Sequence, residues 1–170
     1  MAIRQVLLLG NPQLYIASAP VSPADREIIK TTVADLHDTL IDFRMKYGAG
    51  RAIAAPQIGV MKRIIYMLID GVSTVFINPV LEGKSEETFE VWDDCMCFPD
   101  MLVKVMRHAS CRIRYKNREW AEEVLPLQGD LSELLQHEYD HLEGILAVSR
   151  AIDGKSFALK SQKHLIEESV

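Results

Sequence analysis

The stretch "LLQHEYDHLEG", residues 134–144, places two histidines four residues apart with a glutamate beside the first. A helix turns about 100° per residue, so His137 and His141 share a face and can offer two imidazoles to one metal ion. An ion held there polarises a carbonyl and activates water, while Glu138 takes the water's proton and passes it to the leaving amine. The competing reading is a solvated polar helix face that carries two histidines and binds nothing.

The third ligand separates the possible chemistries. No further histidine follows soon after His141, where the chain reads Ile145, Leu146 and Ala147. A downstream glutamate would have to be Glu167 or Glu168, close to the last residue. Upstream, "VWDDCMCFPD" offers Cys95 and Cys97 just before a proline. Either cysteine with the two histidines leaves one coordination position open for water or substrate, as catalysis by a metal requires.

These groups need elements to hold them. "SPADREIIKTTVADLHDTLIDFRMKYGAG" is predicted to be a long helix, capped by Ser22, with Pro23 at its start and Gly48 and Gly50 at its end. Ile29, Val33, Leu36, Leu40 and Phe43 recur at helical spacing and predict a buried face, with His37 beside it in a structural or solvent-facing role. Residues 63–69, 73–81 and 87–92, and the alternating segment 103–115, read as strands. Asp70-Gly71 and Asn117-Arg118-Glu119 read as turns. A second helix begins near Asp130 and carries both histidines, and a short helix is expected after Gly154. This order predicts an α+β fold, with antiparallel strands around the motif helix, as one domain over residues 1–170.

Bulk properties narrow the setting. A net charge of −5 argues against nucleic acid or an anionic membrane as a partner. "VLLLG" is too short for a signal-peptide core, and no apolar run reaches membrane-spanning length. Three cysteines without an export signal point to a reducing cytoplasm rather than a disulfide framework.

"GRAIAAPQIGV" (50–60), "DDCMCFP" (93–99) and "QHEYDHLEG" (136–144) together resemble the three ordered motifs of peptide deformylases. "LGNPQLYIASAPV" and "FINPVL" resemble that family's flanking segments, so the similarity covers nearly the whole chain. The resemblance implies a hydrolase that removes the formyl group from the N-terminal formyl-methionine of new peptides. It implies one divalent ion, ferrous iron natively with zinc or nickel also accommodated, on Cys95, His137 and His141. It makes Glu138 the general acid/base, and it makes Gln57 and the Met96 backbone N–H the donors to the oxyanion. Gly50 falls in the loop that substrate backbone approaches, and transient ribosome contact is expected of an enzyme acting on nascent chains. Lys155, Lys160 and Lys163 in the tail offer a weak basic patch for it, offset by Glu167 and Glu168. For Cys97 and Cys111 simple packing is expected, and for His108 and His164 surface or structural roles.

Departures from the family pattern fall around the same site. Ala52 stands where a second glycine is usual and requires a negative φ, and Asp94 replaces the glycine before the cysteine. Asp130 and Glu133 lie within about 40° of His137's direction on the helix, in a stretch where such enzymes carry apolar side chains for the methionine. Two carboxylates there suit a polar or cationic side chain better. Alternatively they form a cap, with Asp130 accepting from first-turn amides and Glu133 reaching back. Three functions therefore stand: an ordinary formyl-methionine deformylase, a deformylase for another N-formyl amino acid or small formamide, and a non-catalytic homologue.

Overall fold

The computed structural model describes residues 2–167; Met1 and Glu168 to Val170 lie outside the described residues, and with them the Glu168 considered as a ligand or tail charge. Ser22 accepts from the Ala24 amide and Asp25 reaches back to the Ser22 amide, a reciprocal cap on a one-turn 3-10 segment, Pro23–Asp25. That turn feeds helix α1, Arg26–Tyr47, which Gly48 ends in the left-handed region at φ 67°. The cap read from Ser22 is real, but it acts on the entry turn rather than on the α-helix itself.

Strands β1 (Ala52–Ala54), β2 (Ile64–Ile69) and β3 (Val72–Glu82) follow, then β4 (Thr88–Asp94), β5 (Met101–His108), β6 (Ser110–Lys116) and β7 (Glu122–Gln128). Helix α2, Gly129–Leu142, comes next, and β8 (Phe157–Leu159) and a short α3 (Lys163–Glu167) complete the order. The expected α+β class with a long N-terminal helix holds. The tail after Gly154 is a strand first and a helix only afterwards.

An antiparallel five-stranded sheet runs β1-β2-β3-β6-β7, and a three-stranded one runs β4-β5-β8. Asp70 (φ 49°) and Gly71 (φ 78°) close the β2–β3 hairpin as a two-residue turn, the geometry that matches strand twist. Ile64, Tyr66 and Leu68 face α1, where they meet Ile29, Val33, Leu36, Leu40 and Phe43. Ile65 and Met67, on alternate positions, face α2 and pack with Leu134, Leu135 and Leu142. The sheet is thus sandwiched between the two helices, and the other side of α2 meets β5.

The segment 103–115 is two strands in two sheets, not one. Val103, Val105 and Arg107 are buried in β5 and Cys111, Ile113 and Tyr115 in β6, so the alternation keeps phase through the corner at Ala109 and hides the change of sheet. Strand β7 went unread because it is mostly exposed and holds Pro126, which an edge strand tolerates. Gly144, at φ 71° just past α2, is required there: a Cβ would lie 2.7 Å from the Tyr15 carbonyl.

Candidate metal centre

Helix α2 presents His137 and His141 one turn apart, and the turn after β4 brings Cys95 to them. Cys95 Sγ lies 3.2 Å from His141 Nε2, which lies 3.2 Å from His137 Nε2. All three ligand atoms fall within 4.8 Å of one another and all three residues are buried. Ligand atoms around a tetrahedral ion at ordinary metal–nitrogen and metal–sulfur lengths stand about 3.3–3.6 Å apart, so the cluster has the dimensions of a site for one ion. Burial pushes the Cys95 thiol well up, so it becomes a thiolate only beside a strong positive charge.

Asp93 supports this cluster from behind. His137 Nδ1 stands 2.9 Å from Asp93 Oδ1, and a carboxylate only accepts, so Nδ1 carries a proton and Nε2 is the nitrogen turned to the cluster. Burial alone would raise the Asp93 carboxyl, but His137 and Arg107 outweigh it and hold it at about 2. Burial alone would likewise depress His137, yet Asp93 pushes it up to about 10, so an ion must displace a firmly held proton. Arg107 donates to Asp93 Oδ2 at 2.6 Å and to Asp140 Oδ2 at 2.7 Å, and Arg150 grips Asp140 through two further bonds.

Glu138 Oε2 is buried without a hydrogen-bond partner, and burial pushes its carboxyl up to about 7. Gln57, fully buried, accepts the Ala54 N–H through Oε1 at 2.7 Å, which aims its Nε2 at the sulfurs of Cys95 and Cys97, each 3.7 Å away. The backbone-satisfying role and the site-facing role are therefore the same arrangement. A cavity of about 60 Å³ joins these groups and is lined also by Gly50, Ala52, Asp94, Met96, Glu133 and Leu134.

Neither Ala52 nor Asp94 has a positive φ, so neither replaces glycine at a strained position. Ala52 opens β1, buried opposite Met67. Asp94 accepts from Lys160 Nζ at 2.9 Å. The capping account of Asp130 and Glu133 fails: the N-cap residue of α2 is Gln128, and no side chain caps the helix. Arg51 takes both carboxylates instead, bonded to Asp130 through Nη1 and lying 3.5 Å from Glu133 through Nη2. Asp130 is exposed and does not line the cavity, whereas Glu133 is buried in its wall.

Cys97 packs beneath the site, Cys111 is buried against Ser132, and His108 and His37 make structural bonds to the Ser85 carbonyl and the Tyr66 hydroxyl. Sequence reasoning missed Asp93, Arg107, Asp140 and Arg51. Asp93 had a signal, since a residue two before Cys95 on extended chain faces the same way. The others had none, because their partners are distant in sequence.

The family model described as polypeptide deformylase matches residues 3–157. The chain belongs to the polypeptide deformylase family. Peptide deformylase of Pseudothermotoga lettingae is 37% identical over 166 residues, covering 97% of this chain and 91% of that protein. The crystal structure of peptide deformylase from Thermotoga maritima is similar at a TM-score of 0.81 and 27% identity, covering 90% of this chain and 100% of that one. A class I type b peptide deformylase from Acinetobacter baumannii, with Met-Ala-Ser bound, is similar at a TM-score of 0.79 and 26% identity, covering 88% and 98%. As a deformylase-family member this chain is a metal-dependent hydrolase, and its Cys-His-His cluster fits the single catalytic ion.

Proposed function

We propose that this chain removes the formyl group from the N-terminal formyl-methionine of newly made peptides, with residues 1–170 acting as one catalytic domain. The observation that carries the proposal is the convergence of Cys95, His137 and His141 beside the cavity that Cys95 and His137 line together with Glu138 and Gln57. A divalent ion on those three ligands supplies Lewis acidity toward the formyl oxygen and toward water. Glu138 takes the proton from the attacking water and delivers it to the amine as the formamide C–N bond breaks, releasing formate. A carboxyl at about 7 serves both directions of that transfer near neutral pH. Gln57 Nε2 and the Met96 N–H donate to the oxyanion as it forms, and Gly50 leaves the loop open to the peptide backbone. Ferrous iron is the native ion in this reading, and zinc or nickel fit the same donors.

A thiolate ligand belongs in a reducing compartment, which favours the cytoplasm. Brief ribosome contact would bring the enzyme to its substrate. Lys160 is already paired with Asp94, which weakens the tail as the contact surface. Nothing in the net charge favours nucleic acid or membrane as a lasting partner. The non-catalytic alternative is disfavoured, because the chain keeps the residues the chemistry needs, Gln57, Cys95, His137, Glu138 and His141.

The test is formate release from formyl-Met-Ala-Ser by protein loaded anaerobically with ferrous iron. Release that disappears in Glu138→Gln supports the reading, and no release from metal-replete protein sinks it.

A further inference from the structure

Glu133 is 8% exposed, and what remains open faces the cavity shared by Cys95, His137 and Glu138. It sits one turn before His137 on the same helix face, which puts the two Cβ atoms about 5–6 Å apart. Its one ionic contact among the described residues is Arg51 Nη2 at 3.5 Å, longer than a charge-assisted hydrogen bond. The same guanidinium is bonded to Asp130 through Nη1, so its charge is shared. Of the other carboxylates of the lining, Asp93 has Arg107 and Asp94 has Lys160, while Glu138 is the proposed acid/base. One guanidinium therefore serves two carboxylates, and its contact with Glu133 in the cavity wall is the longer of the two. Burial, with the Asp93 charge nearby, pushes the Glu133 carboxyl up to about 7.

We infer that Glu133 selects substrates whose first side chain ends in a hydrogen-bond donor, an ammonium or an amide, over those ending in a thioether. This rests on the deformylase reading above. A methionine side chain brings no donor, so seating it against Glu133 cuts the carboxylate off from water and leaves it only the long Arg51 contact. A lysine or glutamine side chain lays an unbranched stem beside Leu134 and brings a donor to the carboxylate. Sites built around a buried polar group discriminate strongly against ligands that leave it unpaired. Formyl-methionyl peptides remain substrates and are turned over less efficiently.

The experiment compares formyl-Lys-Ala, formyl-Gln-Ala and formyl-Met-Ala on iron-loaded wild type, Glu133→Leu and Glu133→Gln. Binding of the same compounds to Glu138→Gln, by calorimetry, gives a readout independent of turnover. The wild type should favour the lysyl and glutaminyl compounds in kcat/KM and in affinity. Glu133→Leu should shift the lysyl-to-methionyl ratio toward methionine by about ten-fold or more, mostly through KM. Glu133→Gln, close in shape, should lose the lysyl preference and keep more of the glutaminyl one. A wild-type preference for methionine that Glu133→Leu leaves unchanged would overturn the inference while leaving the deformylase reading intact. An equal fall for all three compounds in both variants would also overturn it, by making Glu133 structural. No turnover of any compound by metal-replete wild type would overturn the deformylase reading and the inference with it.

Discussion

Asp93 and His137 form a closed pair behind the metal cluster: Nδ1 lies 2.9 Å from one carboxylate oxygen and 3.0 Å from the other. The carboxylate sets the imidazole's tautomer and its rotation, so Nε2 points to Cys95 and His141 without rearrangement. Replacing Asp93 with Asn keeps the shape and removes the charge. Metal affinity should then fall about 10–100-fold, as read by competition against a chromogenic chelator. Unchanged affinity would mean that packing alone orients the ring.

Arg107 joins Asp93 to Asp140 and is 3% exposed. Arg107→Met preserves bulk but strands two buried carboxylates, of which only Asp140 keeps a second arginine, Arg150. Unfolding in urea should show a loss of about 3–5 kcal/mol. A loss below about 1 kcal/mol would mean that water or rearrangement replaces the guanidinium.

Glu138 has a role in proton transfer and none in ligation under the proposed mechanism. Glu138→Gln should therefore bind one ion per chain as tightly as wild type, while kcat falls about 10²–10⁴-fold. Metal content and turnover measured on one preparation decide it. Loss of metal in this variant would recast Glu138 as a ligand.

Glu133 makes stability depend on pH in a direction opposite to most carboxylates. Its ordinary value is 4.5, and burial raises it to about 7 in the fold. Across that interval the folded chain keeps a proton that the unfolded chain has released, so stability from this group is full below 4.5 and is lost as pH rises through 7. Glu133→Gln should remove the effect, gaining roughly 2 kcal/mol on wild type between pH 5 and pH 8 in urea melts. A constant difference across that range would show that Glu133 titrates alike in both states.

Parts of the fold and site were legible because they are set by neighbours along the chain. The spacing of His137 and His141 fixes their shared face wherever the helix lies, and the stripe from Ile29 to Phe43 names a buried side without naming what covers it. Strand β2 alternates toward both helices and the Asp70-Gly71 turn sets its pairing, so these too are local. The corner at Ala109 was illegible for a related reason: inward and outward positions keep their phase while the strand changes sheet. Asp130 and Glu133 looked like a helix cap because their spacing fits one. Only tertiary structure brings Arg51 from 79 residues away to claim Asp130, and the same guanidinium reaches Glu133.

By itself, then, the sequence pointed to the class of chemistry, through three ordered motifs that carry two imidazoles, a glutamate, a cysteine and a glutamine. Tertiary structure decided the electrostatics of the site: Asp93 behind His137, Arg107 between two buried carboxylates, and Glu133 in the cavity wall sharing Arg51 with Asp130. Periodicity is a property of neighbouring residues. Charge pairing and burial belong to whichever side chains long-range packing brings together.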